Sequence, residues 1–164
     1  MKIGLISDTH GHLDDRVFTH FKDCDEIWHA GDIGTLDVLE ELENFKPTKA
    51  VFGNIDGANI RAATSEDLWF ECEGQKIWIT HIGGYPPKYN KRTNSILKTK
   101  KPDILICGHS HILKVMQDPK NNLLHINPGA AGVQGFHKIK TLIRFEVNGK
   151  KLSNLQVIEL GARA

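Results

Sequence analysis

Short runs of apolar residues recur along the chain, and most of them stop at the same kind of polar residue. Ile3 to Ile6, Ile27-Trp28, Ala50 to Phe52, Ile77 to Ile79 and Ile104 to Cys107 are short and unbroken, a pattern that predicts strands buried on both faces. Between the first three runs the spacing becomes helical. Val17, Phe18 and Phe21 mark one apolar face and predict a helix over 14–22, with Asp14 and Asp15 placed where acids suit a helix amino end. Leu36, Leu39 and Leu42 predict a second helix over 36–44, with Thr35 as its cap and Pro47 just past its end. Strand and helix alternate, which favours parallel strands joined by crossover helices.

The second half has a different pattern. Leu68 to Cys72 and Lys76 to Thr80 flank Glu73-Gly74-Gln75, a glycine-containing connection that predicts an antiparallel hairpin. A helix near 91–100 precedes Pro102, and strands follow at Leu113 to Gln117, Leu123 to Ile126, Thr141 to Val147 and Leu152 to Leu160. Asn148-Gly149 is a two-residue hairpin signal between the last two. The predicted class is α/β: a four-layer αββα sandwich of two mixed β-sheets flanked by helices. No repeat, low-complexity tract or linker interrupts residues 1–164, so one domain is expected.

Composition changes this picture only at its edges. A formal charge of +1 gives no global field for nucleic acid, although a local positive site could still attract phosphate. Cys24, Cys72 and Cys107 are odd in number and widely spaced, so they read as buried or inert thiols rather than a zinc motif or a disulfide framework. The apolar stretch at the amino terminus ends at Ser7-Asp8, too short for a signal peptide or a membrane span, and a cytoplasmic protein with no membrane partner is expected.

Chemistry is concentrated just beyond the strand ends. Asp8-Thr9-His10, Gly31-Asp32, Gly53-Asn54-Ile55-Asp56, Thr80-His81 and Gly108-His109-Ser110-His111 all carry metal-type ligands, and nearly all follow an apolar run. In layered α/β folds ligands collect outside the carboxyl ends of the strands, so distant segments can meet there. Glycine before Asp32, Asn54 and His109 is expected to let each strand end bend toward the metals. Asp8, His10, Asp32, Asn54, His81, His109 and His111 exceed what one ion needs. Two divalent ions could use them all if one carboxylate bridges, and Asp32 is the natural bridge from its place in the motif order. Ions about 3.5–4 Å apart can stabilise the attacking and leaving oxygens of an in-line displacement at phosphorus, with metal-bridging hydroxide as nucleophile. Nitrogen and oxygen donors without thiolate admit manganese, taken first here, as well as nickel, iron, zinc, cobalt or magnesium.

The ordered motifs DxH, GD, GNxD, TH and GHSH, with Asn127-Pro128-Gly129 after them, resemble those of the calcineurin-like metallophosphoesterase superfamily. The short chain is similar to its small YfcE-type phosphodiesterase branch. The resemblance implies a first metal held by Asp8, His10, Asp32 and His111, and a second held by Asp32, Asn54, His81 and His109. It also implies a preference for phosphodiesters over monoesters. Many larger members have histidine within GNxD where this chain has Ile55, which cannot donate a proton, so leaving groups must be good or be protonated from elsewhere. The expected catalytic set is Asp32, Asn54, Asp56 and His12. His12 is the nearest candidate acid in sequence, and Asp56 is suited to orienting Asn54 or a ligating histidine.

His20, His125 and His137 lack motif support and are assigned to ordinary surface or core positions, and His29 to a buried strand. Lys88, Lys91, Arg92, Lys98, Lys100 and Lys101, with Tyr85 and Tyr89 nearby, could steer a phosphorylated substrate, although a solvated helix face is the favoured reading of such a stretch. Gly83 to Pro87 is expected to wall the pocket. Asn127 to Gly132 reads either as a backbone nest for an anion or as a tight turn behind the metals. The expected partner is a small phosphorylated substrate. Rival readings are a scaffold resembling the retromer coat subunit of the same fold, and a nuclease for small or single-stranded nucleic acid. The sequence leaves the oligomeric state open, a homodimer included.

Overall fold

The computed structural model describes residues 1–164. Two five-stranded sheets pack face to face. In the first, β1 (Lys2–Ile6), β2 (Glu26–His29) and β3 (Thr48–Ala50) run parallel, while β11 (Ile139–Asn148) pairs antiparallel to β1 and β12 (Lys151–Ala162) antiparallel to β11. In the second, β5 (Gln75–Thr80), β8 (Ile104–Ile106) and β10 (Leu123–Asn127) run parallel, flanked by antiparallel β4 (Asp67–Cys72) and β9 (Lys114–Asp118). Helices α1 (Arg16–Phe21), α2 (Leu36–Phe45) and α3 (Ala58–Ala63) cover the first sheet, and α4 (Lys91–Thr99) covers the second. This is the expected four-layer sandwich. No helix is long and apolar enough to cross a membrane.

Strand alternation builds the layers. In β1, Ile3 and Leu5 point between the sheets, where they meet Trp28, Ile77, Ile79, Ile104, Ile106, Ile126 and Phe145. Ile6 points the other way, into a cluster with Val17 and Phe21 of α1 and Leu39 and Leu42 of α2. Gly4 shares that outer face, and a Cβ there would stand 2.7 Å from the Phe21 ring, so its lack of a side chain seats α1 on the sheet. On the far side Trp78, Leu105 and Leu97 join α4 to the second sheet.

Several boundaries differ from expectation. The first helix begins at Arg16, where Asp14 Oδ1 accepts from the Arg16 amide at 3.0 Å and the Asp14 carboxylate is also held by the Arg16 guanidinium and by Lys140 of β11. The third strand ends at Ala50, two residues early: Val51 bridges Ser65 and Phe52 donates to the Ser65 carbonyl, drawing the chain toward β4. The β4–β5 turn is the two residues Glu73 and Gly74, both at positive φ. In the last hairpin Asn148 faces Lys151 in register, so the two-residue turn is Gly149-Lys150 rather than Asn148-Gly149. Helix α3 and a small hairpin, β6 (Gly84–Tyr85) with β7 (Lys88–Tyr89), lack a visible apolar period and were not foreseen. All three cysteines are free and buried, as read.

Replacing Gly4 with valine should overpack the Phe21 contact and destabilise the fold by about 1–3 kcal/mol in urea unfolding. Gly57→Ala, where the nearest atom to a new Cβ is 3.7 Å away, should change stability by less than about 0.5 kcal/mol.

Candidate metal centre

All parallel strands of both sheets end at one edge of the sandwich, and the motif loops leave from those ends. The loop after β1 carries Asp8 and His10, that after β2 carries Asp32, that after β5 carries His81, and that after β8 carries His109 and His111. Asn54 follows β3 at a distance of a few residues. Their polar atoms fall into two groups: Asp8, His10 and His111, and beside them Asp32, His81 and His109. Asp32 joins the groups, because its Oδ2 lies 3.5 Å from His10 Nε2 and 3.2 Å from His81 Nε2. Asp8 Oδ1 lies 3.2 Å from His111 Nε2 and 3.9 Å from both His10 Nε2 and His81 Nε2. Asn54 Oδ1 is 2.9 Å from His109 Nδ1. Asp8, Asp32 and His81 are buried, whereas Asn54 and His109 are exposed, so the centre opens on that side.

The surrounding hydrogen bonds fix where the lone pairs point. His81 Nδ1 lies 2.7 Å from the Ala30 carbonyl, which can only accept, so Nδ1 carries the proton and the buried Nε2 turns its lone pair toward the carboxylates without a hydrogen-bond partner. His137 makes an equivalent chain. Its Nε2 donates to the Gly132 carbonyl at 2.8 Å, leaving Nδ1 to accept from His111 Nδ1 at 3.2 Å and turning His111 Nε2 inward. His10 Nε2 and His111 Nε2 stand 3.3 Å apart. Acceptors facing acceptors around two buried carboxylates are mutually repulsive unless cations or protons lie between them, so this donor set fits divalent ions. Burial would lower the His81 pKa, but the carboxylates of Asp32 and Asp8, which favour a protonated ring, outweigh it and raise the value. Burial acts on Asp32 in the raising direction and is likewise outweighed by His81 and by the Ile55 amide. Protons and metal therefore compete here, and metal binding should release protons.

The backbone is bent to make this convergence. Asp8, His10, Asp32, His109 and His111 sit at φ between 48° and 69°, a left-handed region that costs a non-glycine residue roughly 1–2 kcal/mol. Gly31 also has positive φ, but Gly53 does not, and its requirement is space: a Cβ there would stand 2.0 Å from Asp32 Oδ1. The expectation that glycine bends each strand end therefore holds at Gly31, while at Gly53 glycine admits the carboxylate.

Asp56 makes no hydrogen bond to the Asn54 side chain or to a ligating histidine, as its expected orienting role required. Its carboxylate accepts from the amides of Ile33, Gly34 and Gly53, at 3.1, 2.8 and 2.8 Å, and so ties the Asp32 loop to the Asn54 loop. His12 belongs to neither ligand group, and its ring makes no hydrogen bond to any of these residues. His29 is buried in β2, as read. It accepts from the Gly31 amide at 3.1 Å through Nδ1 and so must donate to Thr9 Oγ1, 3.0 Å from Nε2, and burial pushes its pKa down to about 4. His137, read as an ordinary position, was missed, because a lone histidine outside any motif carries no spacing signal. The 127–132 segment is the tight turn and not a nest: the amides of Ala131 and Gly132 are spent on the carbonyls of Ser7 and Asp8, at 3.0 Å each.

A family model described as the calcineurin-like phosphoesterase superfamily domain matches residues 1–150. The chain belongs to that superfamily. A probable metallophosphoesterase from Methanothermobacter thermautotrophicus is 30% identical over 169 residues, covering 99% of this chain and 94% of its own. An archaeal phosphodiesterase structure is similar at a TM-score of 0.76 with 26% identity, covering 98% of this chain and 100% of that one. A zinc complex of Vps29 from Entamoeba histolytica shares the fold at a TM-score of 0.73 with 18% identity, covering 98% of each chain. This superfamily fold places the motif loops of both sheets on one rim.

Removing the partner of His111 should loosen the centre without dismantling it. His137→Ala is expected to lower manganese affinity by about 10- to 100-fold in calorimetric titration, with partial recovery in His137→Gln, whose amide oxygen can still accept.

Proposed function

We propose that the chain is a hydrolase that uses two divalent metal ions to cleave phosphodiesters, and monoesters less well, by in-line displacement. The observation that carries the reading is Asp32 Oδ2, placed between His10 of one ligand group and His81 of the other at 3.5 and 3.2 Å. In this reading Asp8, His10, Asp32 and His111 hold the first ion, and Asp32, Asn54, His81 and His109 the second. When bound, such a pair supplies a hydroxide nucleophile near neutral pH and positive charge for the phosphoryl oxygens.

The protein groups do the rest. The two buried carboxylates offset part of the ions' charge, and the chains through Ala30 and His137 keep two imidazoles in the tautomer that offers Nε2. Asp56 keeps Asp32 and Asn54 at fixed separation through three backbone amides. Ile55, next to Asn54, is 46% exposed and offers no proton, which supports a preference for substrates whose leaving group needs none. The diester preference is supported by likeness to the archaeal phosphodiesterase. Nitrogen and oxygen donors with no cysteine in either ligand group suit manganese, with iron, zinc, nickel or cobalt as alternatives.

Metal-stripped protein re-supplied with manganese, nickel, zinc or magnesium should hydrolyse bis-p-nitrophenyl phosphate with at least one ion. Asp32→Asn should lower that rate more than about a hundredfold, since it removes the shared ligand charge. Turnover intact in the variant would refute the mechanism. No turnover with any ion would favour the scaffold reading that Vps29 likeness suggests.

A further inference from the structure

Beside the exposed half of the centre lies a cavity of about 330 Å³, bounded by Asn54 and His81 at the metal end and by Phe52, Ile82, Arg61 and Arg92 farther out. Two guanidinium groups line it from different helices, and they differ in whether an acid offsets their charge. Arg92 of α4 is neutralised by an ion pair with Asp67, supplemented by Glu66 at 3.9 Å. Arg61 of α3 has only uncharged partners. Its Nε donates to the Asp56 carbonyl at 2.6 Å, its Nη2 to the Gly53 carbonyl at 3.3 Å, and its guanidinium lies 4.5 Å from the centre of the Phe52 ring. Nη1 makes no hydrogen bond to the protein.

Arg61 is therefore held on several sides while its charge is left uncompensated, and from α3 it grips the loop that carries Asn54. A cation ordered in advance loses little entropy when it takes an anion, and a guanidinium suits carboxylate or phosphate oxygens through paired donors. The remaining basic residues do not compete for this role: Lys88, Lys91, Lys98, Lys100 and Lys101 are exposed away from the cavity lining.

We propose that this cavity is a subsite for a second negative charge on the substrate: Arg61 binds a carboxylate or phosphate carried by the organic arm of a phosphoester whose scissile phosphate sits at the metals. This rests on the proposed hydrolase reading and adds the substrate class to it. Phe52 and Ile82 give the arm an apolar wall, and the cavity volume suits a short organic acid or sugar phosphate better than a polymer.

The test uses manganese-loaded full-length protein and four probes: inorganic phosphate, glycerol 3-phosphate with an uncharged arm, phosphoglycolate with a carboxylate arm, and propane-1,3-diyl bisphosphate with a phosphate arm. Each is measured as an inhibitor of bis-p-nitrophenyl phosphate hydrolysis and, separately, by calorimetry. One or both anionic arms should bind at least about tenfold tighter than glycerol 3-phosphate, as charge-assisted hydrogen bonds allow, and the two arms show which oxyanion is taken. In Arg61→Ala that ratio should fall to near one, with Arg61→Lys intermediate. Arg61→Gln, which keeps the stem over Phe52, serves if the alanine variant does not fold. No preference for either anionic arm in the unaltered protein would overturn the proposal. So would equal weakening of all four probes in the variants, since Arg61 would then only brace the Gly53 to Asp56 loop. Absent turnover with the calorimetric preference intact would refute the hydrolase reading and leave the subsite standing.

Discussion

Two buried carboxylates, Asp8 and Asp32, face the ring nitrogens of His10, His81 and His111 at 3.2–3.9 Å, and the loops around them are shaped to sustain that contact. Left to itself the arrangement is unfavourable, because lone pairs oppose lone pairs in a region with little water. The chain meets the difficulty with backbone rather than with neutralising side chains. Five ligand residues adopt left-handed φ, and Asp56 and His29 fasten adjoining loops by bonding their amides. Strain of this kind persists only where the surroundings over-determine it, which here means two sheets whose parallel strands end on one rim.

Exposure varies across the centre. Asp8, Asp32 and His81 are buried, His10 and His111 half-buried with His111 backed by His137, while Asn54 and His109 are exposed, Asn54 beside the cavity that Arg61 lines. Arg61 serves both the loop and the cavity, since the carbonyls it grips belong to the segment that presents Asn54.

Much of this was legible in the sequence, for definite reasons. The inner strands are short, continuous and apolar because both their faces are covered, and the motif residues follow them because the rim is where parallel strands stop. What escaped notice lacks periodicity. Helix α3 is six residues long with Ile60 as its one buried position, so neither it nor the placement of Arg61 left a pattern. His137 reaches His111 across 26 positions, from the irregular segment between β10 and β11. Asp56 was recognised as important, but its true partners are backbone amides, which no side-chain motif encodes. The strand at Ala50 to Phe52 was placed late because Val51 and Phe52 have apolar side chains yet bond to Ser65.

The most direct test of the account is the position and number of metal ions, read from anomalous scattering in crystals grown with manganese. The account predicts two peaks about 3.5–4 Å apart, one among Asp8, His10, Asp32 and His111 and the other among Asp32, Asn54, His81 and His109. A single peak, or two that do not share Asp32, would contradict it.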